Sequence, residues 1–251
     1  MFNIKIKNKL IRKTKLNYET LSFFFLGILF LLFSEINLIE IKSKTSYLIL
    51  VILVIIFGLP HGALDTILAK KYRVYKNFVQ LIIFNICYLL LVFSVLLFWI
   101  KFPLISLYLF LLISAFHFSE DWKHQTNFFY SLILGFSLIN LPLIFHYNEI
   151  KTIFNYLTYG ENVFHLMKYH YYFGICNLIL LGFFIIGNAK KLNLFIQSIS
   201  ILIFSYFLTP IYFFIVYFCF FHSVKNYRES KDLFSSEKVY KLNLIIGINC
   251  L

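Results

Sequence analysis

Three short stretches break an otherwise apolar chain with side chains able to do chemistry. They are GLPHGALDT around His61, SAFHFSEDW around His117 and YFCFFHSVKN around His222. Neutral imidazole is the commonest protein ligand for iron, zinc and copper. A carboxylate that accepts the free ring N–H of such a ligand fixes its tautomer and orientation. Asp65 follows His61 by four residues, and Glu120 and Asp121 follow His117 by three and four. On a continuing helix those spacings put acid and imidazole on one face. His61, His117 and His222 are therefore the candidate metal ligands, with Asp65 and Glu120 the candidate catalytic carboxylates. The competing reading makes each histidine a hydrogen-bonding contact between helices and each acid an interfacial partner of Lys70 or Lys123.

The elements that must carry these residues follow from composition. The chain has 251 residues, 61% hydrophobic and 14% charged, with a mean hydropathy of +0.81. No water-soluble core of this length needs so much apolar surface, and several runs reach bilayer-spanning length. Eight apolar segments are expected: Thr20–Ile39, Tyr47–Ala69, Phe78–Ile100, Phe102–Glu120, Phe128–His146, Tyr171–Gly187, Leu192–Leu208 and Pro210–Lys225. Backbone groups in lipid must be satisfied within the segment, so these runs are helices; barrel strands would alternate in polarity, and these do not. The fold class is all-α, a polytopic membrane bundle of about eight helices. One domain covers 1–251, with a basic segment over 1–19 and a further apolar run opening at 242. The 147–170 stretch is the one long connection.

The net charge of +12 is distributed between apolar runs rather than gathered on one patch, so no nucleic-acid partner is expected. Of the lysines and arginines, only Lys42, Lys44, Lys101, Lys151 and Lys168 fall on one side of the eight-segment topology; all others fall on the side of the amino terminus. The positive-inside bias then places that terminus in the cytoplasm and the chain, multi-pass, in the plasma membrane. The first segment lacks a small-residue cleavage site and reads as an uncleaved helix. Cys87, Cys176, Cys219 and Cys250 show no pairing pattern and read as free thiols.

This topology makes the three histidines converge. His61 comes 14 residues after Tyr47, His117 14 after Pro103 and His222 12 after Pro210, on segments that all run inward. At about 1.5 Å of rise per residue, each imidazole lies roughly 18–21 Å below the outer end of its helix. Polar residues at such depth are costly in a bilayer and usually serve function. Pro60, Gly58 and Gly62 break the helix beside His61 and aim it into the bundle. His124, His146, His165 and His170 sit at segment ends and read as interfacial. No convincing Ser–His–Asp or Cys–His arrangement is present. The HxxxH and HxxHH clusters of membrane desaturases are also missing.

The three blocks "GLPHGALDT", "FHFSEDW" and "FHSVKN" resemble the signatures of the Brp/Blh family of membrane β-carotene 15,15′-dioxygenases, across segments two to eight. The resemblance implies an integral membrane enzyme that binds Fe(2+) through His61, His117 and His222. It would use O₂ to cleave the central double bond of β-carotene into two molecules of retinal. The lipid bilayer would supply the substrate, and a retinal-binding rhodopsin would use the product. Two positions depart from the family pattern: Ser119 stands where glycine is usual, and Asn226 stands where a second histidine follows the first by four residues. The alternatives are a carotenoid-binding relative that does not cut, or a transporter with intramembrane histidines.

Overall fold

The computed structural model describes residues 16–35, 52 and 69–232. These form helices joined by short turns, with no strand among the described residues. In chain order the helices are α1 (Tyr18–Glu35), α2 (Phe78–Lys101), α3 (Pro103–Ser119), α4 (Phe128–Phe145), α5 (Tyr147–Leu157), α6 (Phe164–Gly187), α7 (Leu192–Phe207), α8 (Pro210–Tyr217) and α9 (Ser223–Asp232). A tight 3₁₀ turn, Glu120–Trp122, continues α3, and a wide π turn, Phe218–His222, joins α8 to α9. Local chemistry sets several starts. The Asn77 and Asn127 side chains accept from the backbone N–H of Gln80 and Tyr130 at 2.9 and 3.0 Å, capping α2 and α4. Pro103 and Pro210 open α3 and α8, where a missing N–H has no helical partner to lose.

Helix occupies every expected apolar segment except Tyr47–Ala69, which lies outside the described residues apart from Ile52 and Ala69. Four helical stretches are long and apolar enough to cross a membrane: Phe78–Lys101, Pro103–Trp122, Phe128–Phe145 and Phe164–Gly187. The apolar stretches Tyr18–Ser34 in α1 and Leu192–Phe207 in α7 are shorter, and α8 has only 8 residues before the wide turn. The architecture is thus an all-helical membrane bundle with four candidate spans among the described residues. The supposed plain connection of 147–170 is corrected. It contains α5, which buries Ile150 and Phe154 on one side and exposes Glu149, Lys151 and Tyr156 on the other. The following helix begins at Phe164 instead of Tyr171.

α4 is the central helix, packing against α3, α6 and α7 and burying residues on several sides. Gly135 makes its contact with α3 possible. A Cβ added there would lie 2.3 Å from the carbonyl oxygen of Ala115 and 2.8 Å from the Ser119 Cβ. The two backbones therefore meet beside the turn that carries the acidic pair. α1 packs on α7 and on the wide turn, where the Ser22 hydroxyl donates to the carbonyl of Phe220. By contrast, α2 buries none of its residues and touches α3 from the periphery.

Candidate functional site

The C-terminal end of α3 and the wide turn after α8 bring two of the three candidate imidazoles together. The ring centroids of His117 and His222 lie 5.0 Å apart, edge to face. His222 is buried, 3% exposed, whereas His117 is the accessible member of the pair. His61 and Asp65 lie outside the described residues.

The acidic pair divides sharply. Glu120, named from the sequence as a candidate catalytic carboxylate, has a side chain that is 66% exposed and among the described residues pairs with Lys123, at 3.5 Å. It does not join the cluster. Asp121 does, with 7% exposure, and its partner is His222 across the helix interface rather than His117 on its own helix. The reason is local winding. The chain tightens into the 3₁₀ turn at Glu120, and the buried Trp122 and Asp121 turn inward while Glu120 turns out.

Asp121 is the hub of this arrangement. Its Oδ2 accepts from the Tyr217 hydroxyl at 2.6 Å and faces His222 Nδ1 at 2.9 Å. Its Oδ1 lies 3.8 Å from the Lys225 ammonium, itself 3% exposed and 3.5 Å from Glu229. An ionised carboxylate can only accept, so His222 presents an N–H from Nδ1, which in the neutral ring leaves the lone pair on Nε2. That tautomer is the one a metal-binding imidazole needs. The positive Lys225 offsets the buried negative charge of Asp121, so the group does not leave one charge alone in a low dielectric.

Tyr217 and Lys225 are absent from the candidates drawn from the sequence. Tyr217 and His222 are five residues apart, about 140° round a regular α-helix, so they should not share a partner. The wide turn changes this: the Ser223 N–H bonds to the Phe218 carbonyl, five residues back, and both side chains come round to Asp121. Aromatic rings enclose the pair. Phe118 lies 5.3 Å from His222 and 5.2 Å from Tyr217. Phe218 stacks on His222 at 5.7 Å and on Phe214 at 5.6 Å, and Phe214 is 41% exposed. A row of rings thus leads from the outer surface of the bundle to the buried imidazole.

Asn226 lies one turn beyond His222 on α9. Ser119, the other departure from the family pattern, faces Gly135, so small residues meet there from both helices. Among the described residues, no three His, Cys, Asp or Glu side chains gather to hold a metal. The described donor set is the His117–His222 pair, and its chemistry fits a metal in one respect above all: Asp121 orients His222 from the far side of the ring.

Fold and site together define a helical membrane protein whose polar centre is an imidazole pair backed by a buried acid, a phenol and an ammonium. The chain belongs to the β-carotene 15,15′-dioxygenase family, whose model matches residues 51–245. A relative named β-carotene 15,15′-dioxygenase, from uncultured marine bacterium 66A03, is 29% identical over 191 residues, which covers 70% of this chain. The chain spans 66% of that relative's length. No solved structure matches this chain.

Proposed function

We propose that this chain is an iron-dependent membrane dioxygenase that uses O₂ to cleave the central double bond of β-carotene into two molecules of retinal. It would sit in the plasma membrane with its amino terminus cytoplasmic, crossing about eight times, and release a product suited to a retinal-binding rhodopsin. The observation that carries the reading is the meeting of His117 and His222 with Asp121 held against His222 Nδ1. His61, His117 and His222 would be the ligands of Fe(2+). Asp65 would support His61, and Asp121 takes the supporting role expected of Glu120.

Ferrous iron, when bound, supplies the activation of O₂ that an uncharged polyene cannot achieve alone. The remaining tasks fall to the protein. Asp121 keeps the His222 Nε2 lone pair aimed away from the carboxylate. Phe118, Phe214 and Phe218 offer an apolar, ring-lined route along which a polyene can approach sideways from the bilayer, with Phe214 at its exposed end. The packing of Phe118 and Phe218 on His222 also shields that imidazole from water. The proposed cleavage needs no proton abstracted from the polyene.

Expression in a β-carotene-accumulating bacterium tests the proposal: colour should fade and retinal should appear in the extract. Persistent colour without retinal, with the protein verified in the membrane, would reject turnover. It would favour the second reading, a relative that binds carotenoid without cutting it. Asn226, where the family pattern has a histidine, is the observation behind that second reading. His117→Ala should abolish both metal content and cleavage.

A further inference from the structure

We infer that Tyr217 is a positioning residue that acts through Asp121 to fix the orientation and tautomer of His222. The inference rests on the reading of His222 as a metal ligand, and it assigns the phenol a task that packing alone would not require. Two donors, the Tyr217 hydroxyl and the His222 Nδ1–H, converge on one carboxylate oxygen, at 2.6 and 2.9 Å. Hydrogen bonds to an ionised acceptor are short and strong, and two of them on one atom fix the rotation of the carboxylate. Lys225, at 3.8 Å from the other oxygen, would otherwise be free to draw the group round toward itself.

Tyr217 is itself held as a fixed strut. It is 1% exposed, stacked on Trp122 with ring centroids 6.2 Å apart and on Phe221 at 5.7 Å, with Phe23 against its edge at 6.1 Å. Trp122 is anchored in turn: its indole N–H donates to Gln197 Oε1 at 2.9 Å, and Gln197 Nε2 donates to Thr20 Oγ1 at 2.6 Å. Side chains from α1, α7, the 3₁₀ turn and the wide turn thus immobilise the phenol that immobilises the acid. Removing the hydroxyl alone leaves every ring contact in place, so Tyr217→Phe separates positioning from packing.

The test uses the full chain in detergent, metal-free and labelled with ¹⁵N-histidine, with the His222 signals identified by their loss in His222→Gln. The wild type should show His222 protonated on Nδ1 alone. Tyr217→Phe should show a mixture of the two neutral tautomers, together with about tenfold weaker binding of Co(2+) as the probe metal. In an Asp121→Asn background, Tyr217→Phe should add no further loss, because the phenol acts only through the acid. An unchanged tautomer with Co(2+) affinity within twofold of wild type would overturn the inference, as would a full additional loss in the Asp121→Asn background. Should Tyr217→Phe not fold, 3-fluorotyrosine at position 217 keeps the shape and strengthens the donor; it must then shift the His222 Nδ1 resonance, and no shift overturns the inference. A wild type that binds no Co(2+) sinks the metal reading, while the tautomer comparison still decides the role of Tyr217.

Discussion

Asp121→Asn removes the negative charge from a cluster that contains a buried ammonium. The Lys225 Nζ lies 3.8 Å from Asp121 Oδ1, and the two side chains are 3% and 9% exposed. At an effective dielectric near 20, that separation corresponds to an attraction of about 4 kcal/mol. Losing one partner of a buried pair strands the other charge, which typically costs about 3–5 kcal/mol. Glu229 remains 3.5 Å from Lys225, but its side chain is 40% exposed and its pull is weakened by solvent. Asparagine also mismatches its surroundings, since its amide must turn an N–H toward either Lys225 or the Tyr217–His222 donors. We therefore expect Asp121→Asn to destabilise the protein by about 3 kcal/mol. Asp121→Asn combined with Lys225→Met should recover most of that loss, because no buried charge is then left alone. Equilibrium unfolding in mixed SDS–dodecylmaltoside micelles measures both. A single mutant within about 1 kcal/mol of wild type would refute the reasoning, as would a double mutant no better than the single.

Glu120→Gln provides the contrast: its side chain is exposed and its partner is the exposed Lys123, so stability should change by under about 0.5 kcal/mol and retinal yield should stay within twofold of wild type. Gly135→Ala places a methyl group against the Ala115 carbonyl and should lower stability by about 1–3 kcal/mol in the same unfolding assay. Asn226→His adds an imidazole one helical turn from His222 and should raise Co(2+) affinity, read by titration of the metal-free protein; unchanged affinity would argue that the site uses no donor from this position. Trp122→Phe leaves the buried Gln197 amide without its indole donor and should cost about 1–3 kcal/mol, again read by unfolding.

The bundle itself is legible in the sequence because lipid demands apolar runs and helical hydrogen bonding, and both leave plain marks. The pairing of His117 with His222 is also approachable from the sequence, through counting rise along helices expected to run in one direction. What fails is rotation about the helix axis wherever the winding changes. Glu120 and Asp121 are equivalent on an ideal helix leaving His117, yet the tight turn sends one into solvent and the other to His222. Tyr217 is hidden for the opposite reason, because a looser turn brings a residue five positions away to the same side as His222. α5 escapes a search for unbroken apolarity because it docks through one face, Ile150 and Phe154 with Tyr147 and Ile153 beside them, and is polar on the other. The carboxylate's true partner lies 101 positions downstream, a contact that no local spacing contains.

A π turn is the trace of one additional residue threaded into a regular α-helix. Shortening the Phe218–Phe221 stretch by one residue would restore ordinary winding while leaving both flanks facing their present neighbours. Relatives one residue shorter at that point could therefore hold the same histidine against the same acid. When such chains are compared, a single-residue gap belongs inside this helix, where convention would forbid one, and Tyr217 should be sought four positions before the histidine instead of five.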